Sequence, residues 1–407
     1  MRYFILTYTL LISSFFAKGQ ESSKLINNSL FENYTVSNGL LDEKIHCVFQ
    51  DSKGWIWLGT DYGAYRFDGY TFTSFDLNDE SSIILSNALI RVIYEDAQGI
   101  VWIGTDFQGL FKYDISKNLL EQFKDKGFTH NSVWDILADG KHNLWLGTEG
   151  GLNYFNTSTN QIEKTYTVAG SQQIPGNWVR KLFFDDRKNL WVGTNKGITV
   201  IDSKGKITNS YLTGSLYNDR ENEVWEIYQD NTGTIWVGTY LGGLFYCDDS
   251  TRNFKKFELD IANNRTITVR SIIQDHKGNL WFGTRGGLYS MNLSHHNLRE
   301  YQNKQNDNYS LVHNSVLDLF IDKKGDLWVG TRNGLSFLNF DKQSFGYLKA
   351  AENKMNFLNN GEIYVFWEDE QQKLWIGTES GGINIFDTKY DFIKYSSPQK
   401  MAYRAIA

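Results

Sequence analysis

The sequence predicts an all-β protein, a β-propeller built from four-stranded blades. A motif of Trp, an apolar residue, Gly and Thr recurs eight times in the 407 residues, at intervals of 43 to 47 residues. A repeat of this length suits one blade, and turn signals arrive too often for a helical repeat. We interpret the motif tryptophans as core residues. They are Trp57, Trp102, Trp145, Trp191, Trp236, Trp281, Trp328 and Trp375.

The first strand of each repeat precedes the motif and begins with a β-branched residue, as at Ile45 and Val133. Further apolar residues lie three and four positions on, as Val48 and Phe49 show. A short, nearly continuous apolar run is typical of a strand that is buried on both faces. We therefore expect this strand to be the innermost of each blade.

A tight turn joins this inner strand to the motif strand. Aspartate lies six residues before each Trp, and five copies also have Gly three residues before it, as in Asp51 and Gly54. Aspartate can accept hydrogen bonds from backbone N–H groups just ahead, and Gly adopts positive φ without steric cost. We interpret these aspartates as turn formers and not as acid–base residues. They are Asp51, Asp96, Asp139, Asp185, Asp230, Asp275, Asp322 and Asp369.

A Gly-containing turn after the motif leads to a third strand, as at residues 109–113. A fourth, more polar strand follows at residues 119–123, and its polarity suits the outer edge of a blade. Because strands alternate in direction, the loops after the motif and the long loops between repeats should share one face. We expect that face to be the functional one, because its loops vary in length and sequence.

The chain divides into four predicted segments. Residues 1–19 resemble a secretory signal peptide with a short apolar run, the rival interpretation being an uncleaved anchor. Residues 20–362 are predicted to form the propeller of repeats 1–7, with residues 31–36 as a closing strand from the N-terminus. Residues 363–395 are the eighth repeat. If seven blades close the ring, this repeat is surplus and starts a second propeller; alternatively, it is the last blade of an eight-bladed ring. Residues 396–407 form an irregular tail.

Composition limits the classes of function. The net charge of -6 and pI of about 5.7 argue against a nucleic-acid partner. No membrane segment is predicted apart from the signal peptide, and no cofactor, metal or catalytic motif is found. Cys47 and Cys247 lie too far apart in such a ring for a disulfide, so we interpret both as buried small residues.

One position varies in an informative way, namely the second residue of each inner strand, which we call the mouth position. Its eight residues are His46, Arg91, Trp134, Arg180, Trp225, Arg270, Leu317 and Tyr364. Alternation should turn it away from its β-branched neighbour, towards a channel mouth near the long loops. Trp and Tyr can stack on sugar faces, and Arg can hold a carboxylate or sulfate in a bidentate way. The candidate ligand-binding residues are Arg91, Trp134, Arg180, Trp225, Arg270 and Tyr364. The alternative is that these side chains only pack between blades, with Arg on aromatic rings.

The repeats resemble those of the two-component regulator propeller family, because an apolar strand precedes Asp-x-x-Gly, Trp-apolar-Gly-Thr and Gly-Gly-Leu. The segment from Phe31 to Asp68-Gly69 resembles the usual start of such a sensor. The resemblance implies the periplasmic sensor region of a Bacteroides-type hybrid two-component system, which senses a carbohydrate and forms a homodimer through more C-terminal regions. Such sensors typically have fourteen repeats, a β-sandwich, a membrane helix, and kinase, receiver and DNA-binding domains. This sequence contains eight repeats and none of the other parts, so we expect no enzyme activity from it.

Two other classes of function stay open. A secreted propeller enzyme, a lyase or a sialidase-like hydrolase, would need titratable residues clustered on one face. The sequence offers isolated acids such as Glu149 and Glu379, and its Asp motif is one residue out of register with the sialidase Asp-box. A protein-interaction scaffold is the third possibility.

Overall fold

The computed structural model describes residues 31–75, 85, 87–125, 127–210, 212, 219–248, 253–259, 267–293, 297–341, 358, 362–379, 382–387 and 392–396. Two compact units are present, Ser29–Lys342 and a second unit that includes Gln343–Ala407. The predicted signal peptide and residues 397–407 of the predicted tail lie outside the described residues. The all-β prediction is confirmed, because the described residues contain 32 strands and only two short 3-10 turns, Val36–Asn38 and Asp219–Asn222. In this part of the chain, no helix has the length and hydropathy needed to span a membrane.

Seven antiparallel sheets of four strands make up the first unit. Strand β1 comprises Phe31–Tyr34. Blade one contains β2 (Ile45–Gln50), β3 (Ile56–Thr60), β4 (Gly63–Phe67) and β5 (Phe72–Ser74). Blade two contains β6 (Ile90–Glu95), β7 (Ile100–Thr105), β8 (Leu110–Asp114) and β9 (Leu119–Phe123). Blade three contains β10 (Val133–Ala138), β11 (Asn143–Thr148), β12 (Gly151–Asn156) and β13 (Gln161–Tyr166).

The remaining blades of this unit repeat the pattern. Blade four contains β14 (Val179–Phe184), β15 (Leu190–Thr194), β16 (Gly197–Ile201) and β17 (Ile207–Ser210). Blade five contains β18 (Val224–Gln229), β19 (Thr234–Thr239), β20 (Leu244–Asp248) and β21 (Lys255–Phe257). Blade six contains β22 (Val269–Gln274), β23 (Asn279–Thr284), β24 (Leu288–Asn292) and β25 (Leu298–Tyr301). Blade seven contains β26 (Val316–Ile321), β27 (Leu327–Thr331), β28 (Gly334–Leu338) and, as its outer strand, β1.

The seven blades close into a ring. Each inner strand lies beside the inner strand of the next blade, and β26 of blade seven lies beside β2 of blade one. Strand β1 pairs antiparallel with β28, and Phe31 is opposite Leu338. The N-terminal strand thus covers the edge of β28, which would otherwise carry unpaired backbone groups.

The motif glycine is explained by contact between blades. A Cβ atom built on Gly193 would lie 2.6 Å from Cγ1 of Val224, the first residue of the next inner strand. The same contact recurs from blade to blade, and Gly330 of blade seven meets Ile45 of blade one, with its Cβ position 3.1 Å from Ile45 Cγ2. Only glycine lets the β-branched side chain approach so closely. The motif and the β-branched residue are therefore two halves of one interface.

The turn aspartates also fix the motif tryptophans. Asp185 Oδ1 accepts hydrogen bonds from the backbone N–H groups of Arg187 and Asn189, at 3.0 and 2.8 Å. Its Oδ2 accepts from Nε1 of the fully buried Trp191 at 2.8 Å. Six other repeats contain the same Asp–Trp bond. The backbone bonds are predicted by the sequence, whereas the bond to the indole is not.

Blade three departs from this pattern. Asp139 Oδ2 accepts from the hydroxyl of Tyr154 at 2.6 Å and from Asn143 Nδ2 at 3.2 Å. The ring of Tyr154 packs 4.5 Å from that of Trp145, centroid to centroid. A tyrosine on the neighbouring strand thus takes the acceptor that tryptophan uses in the other blades.

The second unit contains the eighth repeat as one four-stranded sheet. Its strands are β29 (Ile363–Glu368), β30 (Leu374–Thr378), β31 (Gly382–Phe386) and β32 (Phe392–Ser396). Ile363 is 47% exposed, whereas Ile45, its counterpart in blade one, is fully buried. Phe366 is 74% exposed. The inner strand of this repeat therefore presents the apolar residues that the seven blades of the ring bury.

Candidate functional site

The ring of seven blades encloses a cavity of about 420 Å³ on its axis. Its wall consists of inner-strand residues together with Lys44 and Arg332. A cavity of this size is in the range of sites for small ligands. The mouth positions of all seven blades line it, namely His46, Arg91, Trp134, Arg180, Trp225, Arg270 and Leu317.

A β-bulge in the inner strands brings two consecutive residues to the channel in six of the seven blades of the ring. In blade two, Ile90 is opposite Thr105 and Val92 is opposite Gly104, so Arg91 has no partner on the next strand. The same register shift occurs in all eight repeats. Side chains therefore do not alternate strictly between the two faces of the strand at this point, contrary to our expectation. In those six blades, the mouth position and the residue after it both face the cavity, because the extra residue bends the strand.

Arginine and tryptophan alternate around five consecutive blades of the mouth. The guanidinium carbon of Arg91 lies 4.0 Å from the ring centroid of Trp134, and that of Arg180 lies 4.3 Å from the same ring. Arg180 also lies 4.4 Å from the Trp225 ring, and Arg270 lies 4.8 Å from it. These distances are typical of cation–π contacts. The stacking that we considered as an alternative is present, and the stack itself forms the wall of the cavity.

A second variable position joins each blade to the mouth. This is the residue directly after the motif threonine, which we call the post-Thr position. In blades one to three it is acidic and contacts the mouth position of its own blade, fifteen residues earlier. These contacts are His46 Nε2 with Asp61 Oδ1 (2.5 Å), Arg91 with Asp106 Oδ2 (2.6 Å), and Trp134 Nε1 with Glu149 Oε1 (3.2 Å).

The post-Thr positions of the later blades carry different chemistry. Blade five has Tyr240, which stacks on Trp225 with 6.0 Å between ring centroids and 20° between planes. Blades six and seven have Arg285 and Arg332. Two post-Thr residues, Glu149 and Glu379, are recognised from the sequence only as isolated acids. The signal for the whole position is a residue that varies directly after an otherwise constant Gly-Thr.

Tyr364 is the eighth mouth position. It belongs to the eighth repeat in the second unit, where its hydroxyl donates to Glu379 Oε1 at 2.8 Å. The pair repeats the mouth and post-Thr arrangement of the ring. A ligand-binding role for Tyr364 therefore stays a prediction.

Below the mouth, charged residues occupy the third position of four inner strands. Lys181 Nζ lies 2.9 Å from Glu226 Oε1. Asp135 Oδ2 accepts from the backbone N–H of Leu182 in the next blade, at 2.7 Å. Asp318 Oδ2 accepts in the same way from the N–H of Val48, at 2.8 Å. These carboxylates therefore join the inner strands of neighbouring blades.

Burial dominates the electrostatics of this group. It raises the pKa of Asp135 and Asp318, and it raises the pKa of Glu226 to about 7 although Lys181 is adjacent. Burial disfavours charged Lys181, but Glu226 and Asp135 outweigh it and raise its pKa. At the mouth, burial lowers the pKa of His46 to about 4. Neutral imidazole therefore faces Asp61 at pH 7.

Neither cysteine forms a disulfide. Cys47 lines the channel and Cys247 lies in the core, and both are buried and free. Within the described ranges, no group of three His, Cys, Asp or Glu residues is arranged to hold a metal ion.

The fold and the site together define a closed repeat propeller with variable residues around its channel mouth. The sequence pattern described as two component regulator propeller matches one segment in each of the seven blades. The matched segments are residues 39–62, 84–107, 127–150, 173–196, 218–241, 262–286 and 310–333. The chain belongs to the two-component regulator propeller family, as its motifs predict.

Known proteins with similar sequence or fold include signalling proteins. Histidine kinase P4 from Formosa agariphila is 30% identical over 79 residues, which are 19% of this chain and 6% of that protein. The extracellular domain of BT3049 from B. thetaiotaomicron, described as a hybrid two component system, has a TM-score of 0.73 and 24% identity. The match covers 91% of this chain and 49% of that chain, so this protein spans about half the length of that domain.

The fold is shared with an enzyme as well. Virginiamycin B lyase from Staphylococcus aureus has a TM-score of 0.58 at 14% identity, over 76% of this chain and 99% of that chain. At this identity the likeness concerns the fold alone, because one propeller architecture serves unrelated functions.

Proposed function

We propose that this chain is a periplasmic sensor propeller of two-component signalling and that it binds an oligosaccharide at the channel mouth. The observation that carries the proposal is the stack of Arg91, Trp134, Arg180, Trp225 and Arg270 around the cavity. Indole rings can contact sugar rings, and guanidinium groups can donate several hydrogen bonds to hydroxyl or acidic groups. Membership of a regulator family supports a signalling role.

Binding without turnover fits the acids at the mouth. Asp61 contacts Lys44 and His46, and Asp106 contacts Arg91. Glu223 lies 2.9 Å from Arg180. A propeller hydrolase or lyase would need a carboxylate or another base that is free to move a proton. These carboxylates instead orient the basic and aromatic residues that surround them.

The test is calorimetric titration of the protein with xylo-, gluco-, galacturono- and sulfated oligosaccharides. We expect one class of glycan to bind, and we expect Trp225→Ala to weaken its affinity about tenfold or more, because a stacking surface is lost. Trp55→Ala is the matched control. Trp55 also stacks with an arginine, Arg66 at 5.1 Å, but it lies in the Asp turn on the opposite face.

Two results would contradict the proposal. If Trp55→Ala and Trp225→Ala weakened glycan affinity equally, in variants that still melt cooperatively, the glycan would not bind at the mouth. Shortened or unsaturated products after incubation with the bound glycan would show turnover and favour the enzyme alternative.

A further inference from the structure

The charges around the mouth are unevenly distributed among the blades. Blades one to three have an acid at the post-Thr position, and each acid contacts the mouth residue of its own blade. Blades six and seven have Arg285 and Arg332 at this position, and both side chains are exposed. Where blade two has the ion pair of Arg91 and Asp106, blade six has two cations, Arg270 and Arg285.

Arg270 has no acidic partner among the residues that the structure describes. Its Nε is buried without a hydrogen-bond acceptor, as are Nε of Arg91 and Arg180 and Nε1 of the neighbouring Trp225. Arg91 and Arg180, however, are each paired with an acid through another guanidinium nitrogen. The mouth residue of blade seven, Leu317, is apolar and supplies no acceptor. Arg180, on the other side of Trp225, is already paired with a glutamate. A buried donor without an acceptor costs free energy. This part of the mouth therefore needs an acceptor that the protein itself does not supply.

Electrostatics agree with the geometry. Burial, together with the positive charges of Arg285 and Arg332, lowers the pKa of Arg270 to about 10. Neighbouring cations destabilise one another unless an anion lies between them. A bound anion would therefore reduce the repulsion among the arginines at this end of the mouth.

We propose that Arg270, Arg285 and Arg332 form an anion subsite that holds the carboxylate or sulfate group of an acidic saccharide. The inference deepens the proposed function and rests on it for the saccharide part of the ligand. Arginine suits this role because its planar fork can donate two parallel hydrogen bonds to a carboxylate or sulfate. Trp225 and Tyr240, which stack on one another beside the subsite, would contact the adjoining sugar ring.

The distribution of charge also gives the ligand a direction. Asp61, Asp106 and Glu149 would repel an anionic group placed over blades one to three. The acidic group therefore lies over blades six and seven, and hydroxyl groups lie over the first three blades. A neutral saccharide would leave the arginine donors without acceptors, so we expect acidic saccharides to bind more tightly than their neutral counterparts.

The test compares Arg332→Gln with Arg299→Gln in the full chain. Arg332 is exposed at the mouth, and Arg299 is exposed on the outer strand β25, so each variant removes one surface charge and leaves the core intact. Affinities for galacturonate oligomers, a sulfated oligosaccharide, neutral galactose oligomers and inorganic sulfate are measured at low and moderate salt. We expect Arg332→Gln to weaken the affinity for acidic saccharides about tenfold and Arg299→Gln to leave that affinity unchanged. Added salt should weaken the binding of the same acidic ligands, because it screens the charges.

The four ligands separate the two proposals. Binding of neutral and acidic saccharides with equal affinity, insensitive to Arg332→Gln, would overturn the anion subsite and leave saccharide sensing intact. Binding of inorganic sulfate alone, if it is weakened by Arg332→Gln, would support the anion subsite and overturn the proposal that the ligand is a saccharide. Absence of binding by all four ligands would overturn both.

Discussion

At the scale of single residues, the turn aspartates link the backbone of a turn to an aromatic side chain. Asp185 accepts two backbone N–H groups with one oxygen and the indole N–H of Trp191 with the other. Without this acceptor, the buried indole N–H would have no partner, which costs about 1–3 kcal/mol. The same carboxylate therefore closes the hairpin and satisfies the largest side chain of the blade.

We expect Asp185→Ala to lower the free energy of unfolding by about 2–3 kcal/mol, from the lost turn bonds and the unpaired indole. Asp139→Ala is the matched control, because Trp145 does not use Asp139 and the freed Tyr154 hydroxyl is partly exposed. Its cost should be smaller by roughly 1 kcal/mol. Urea unfolding followed by tryptophan fluorescence measures both, and equal losses would contradict the role given to the indole bond.

At the scale of elements, the interface between blades depends on the fit of glycine against a β-branched residue. We expect Gly193→Ala to destabilise the protein by about 1–3 kcal/mol, because the added Cβ overlaps Val224. Val224→Ala alone should also be destabilising, since it leaves a cavity.

The double variant Gly193→Ala, Val224→Ala separates packing from other effects. It should be more stable than the sum of the two single variants predicts, because the alanine fills space that the valine has left. Strict additivity in thermal and urea unfolding would show that the two residues do not form one interface.

The strands and blades could be predicted from the sequence, but the site could be predicted only in part. Periodicity identifies strands because burial repeats along the chain, as in Ile45 and Val133. The bulge at Arg91 leaves no comparable signal, since it is a shift in strand register and not a change in the apolar pattern. The partners Asp106 and Arg332 were missed because their role depends on a residue fifteen positions away or on another blade.

At the scale of the whole molecule, the closed ring brings charged residues from separate blades together in one channel. Glu226 from blade five faces Lys181 from blade four, and both contribute to a group that includes Asp135 and Asp318. Three carboxyls share one ammonium group in a low-dielectric space, so the protonated form of a carboxyl is favoured. Such a group exists only when the ring is closed.

We expect this group to make stability depend on pH. Burial raises the pKa of Glu226 from 4.5 to about 7, so the folded state binds a proton that the unfolded state has lost. The stabilisation is complete below about pH 4.5 and is lost as the pH rises to about 7. Glu226→Gln should therefore flatten the fall in the free energy of unfolding over this range.

Urea unfolding at several pH values between about 5 and 7 gives the slope for each variant. Glu163→Gln, in the outer strand β13, is the control and should keep the slope of the unaltered protein. An unchanged slope in Glu226→Gln would show that this carboxyl does not titrate in the window.

The pairing of β1 with β28 also sets an order of events during synthesis. Phe31 is made first, yet its partner Leu338 follows about 300 residues later. At a synthesis rate of 5–20 residues per second, the first strand waits roughly 15 to 60 seconds for its sheet. Six blades can assemble beside one another in that time, but the last sheet has no outer strand until the two ends meet. Because this pairing joins residues about 300 positions apart, it is a slow step of folding, and the open edge of β28 is exposed to aggregation until β1 covers it.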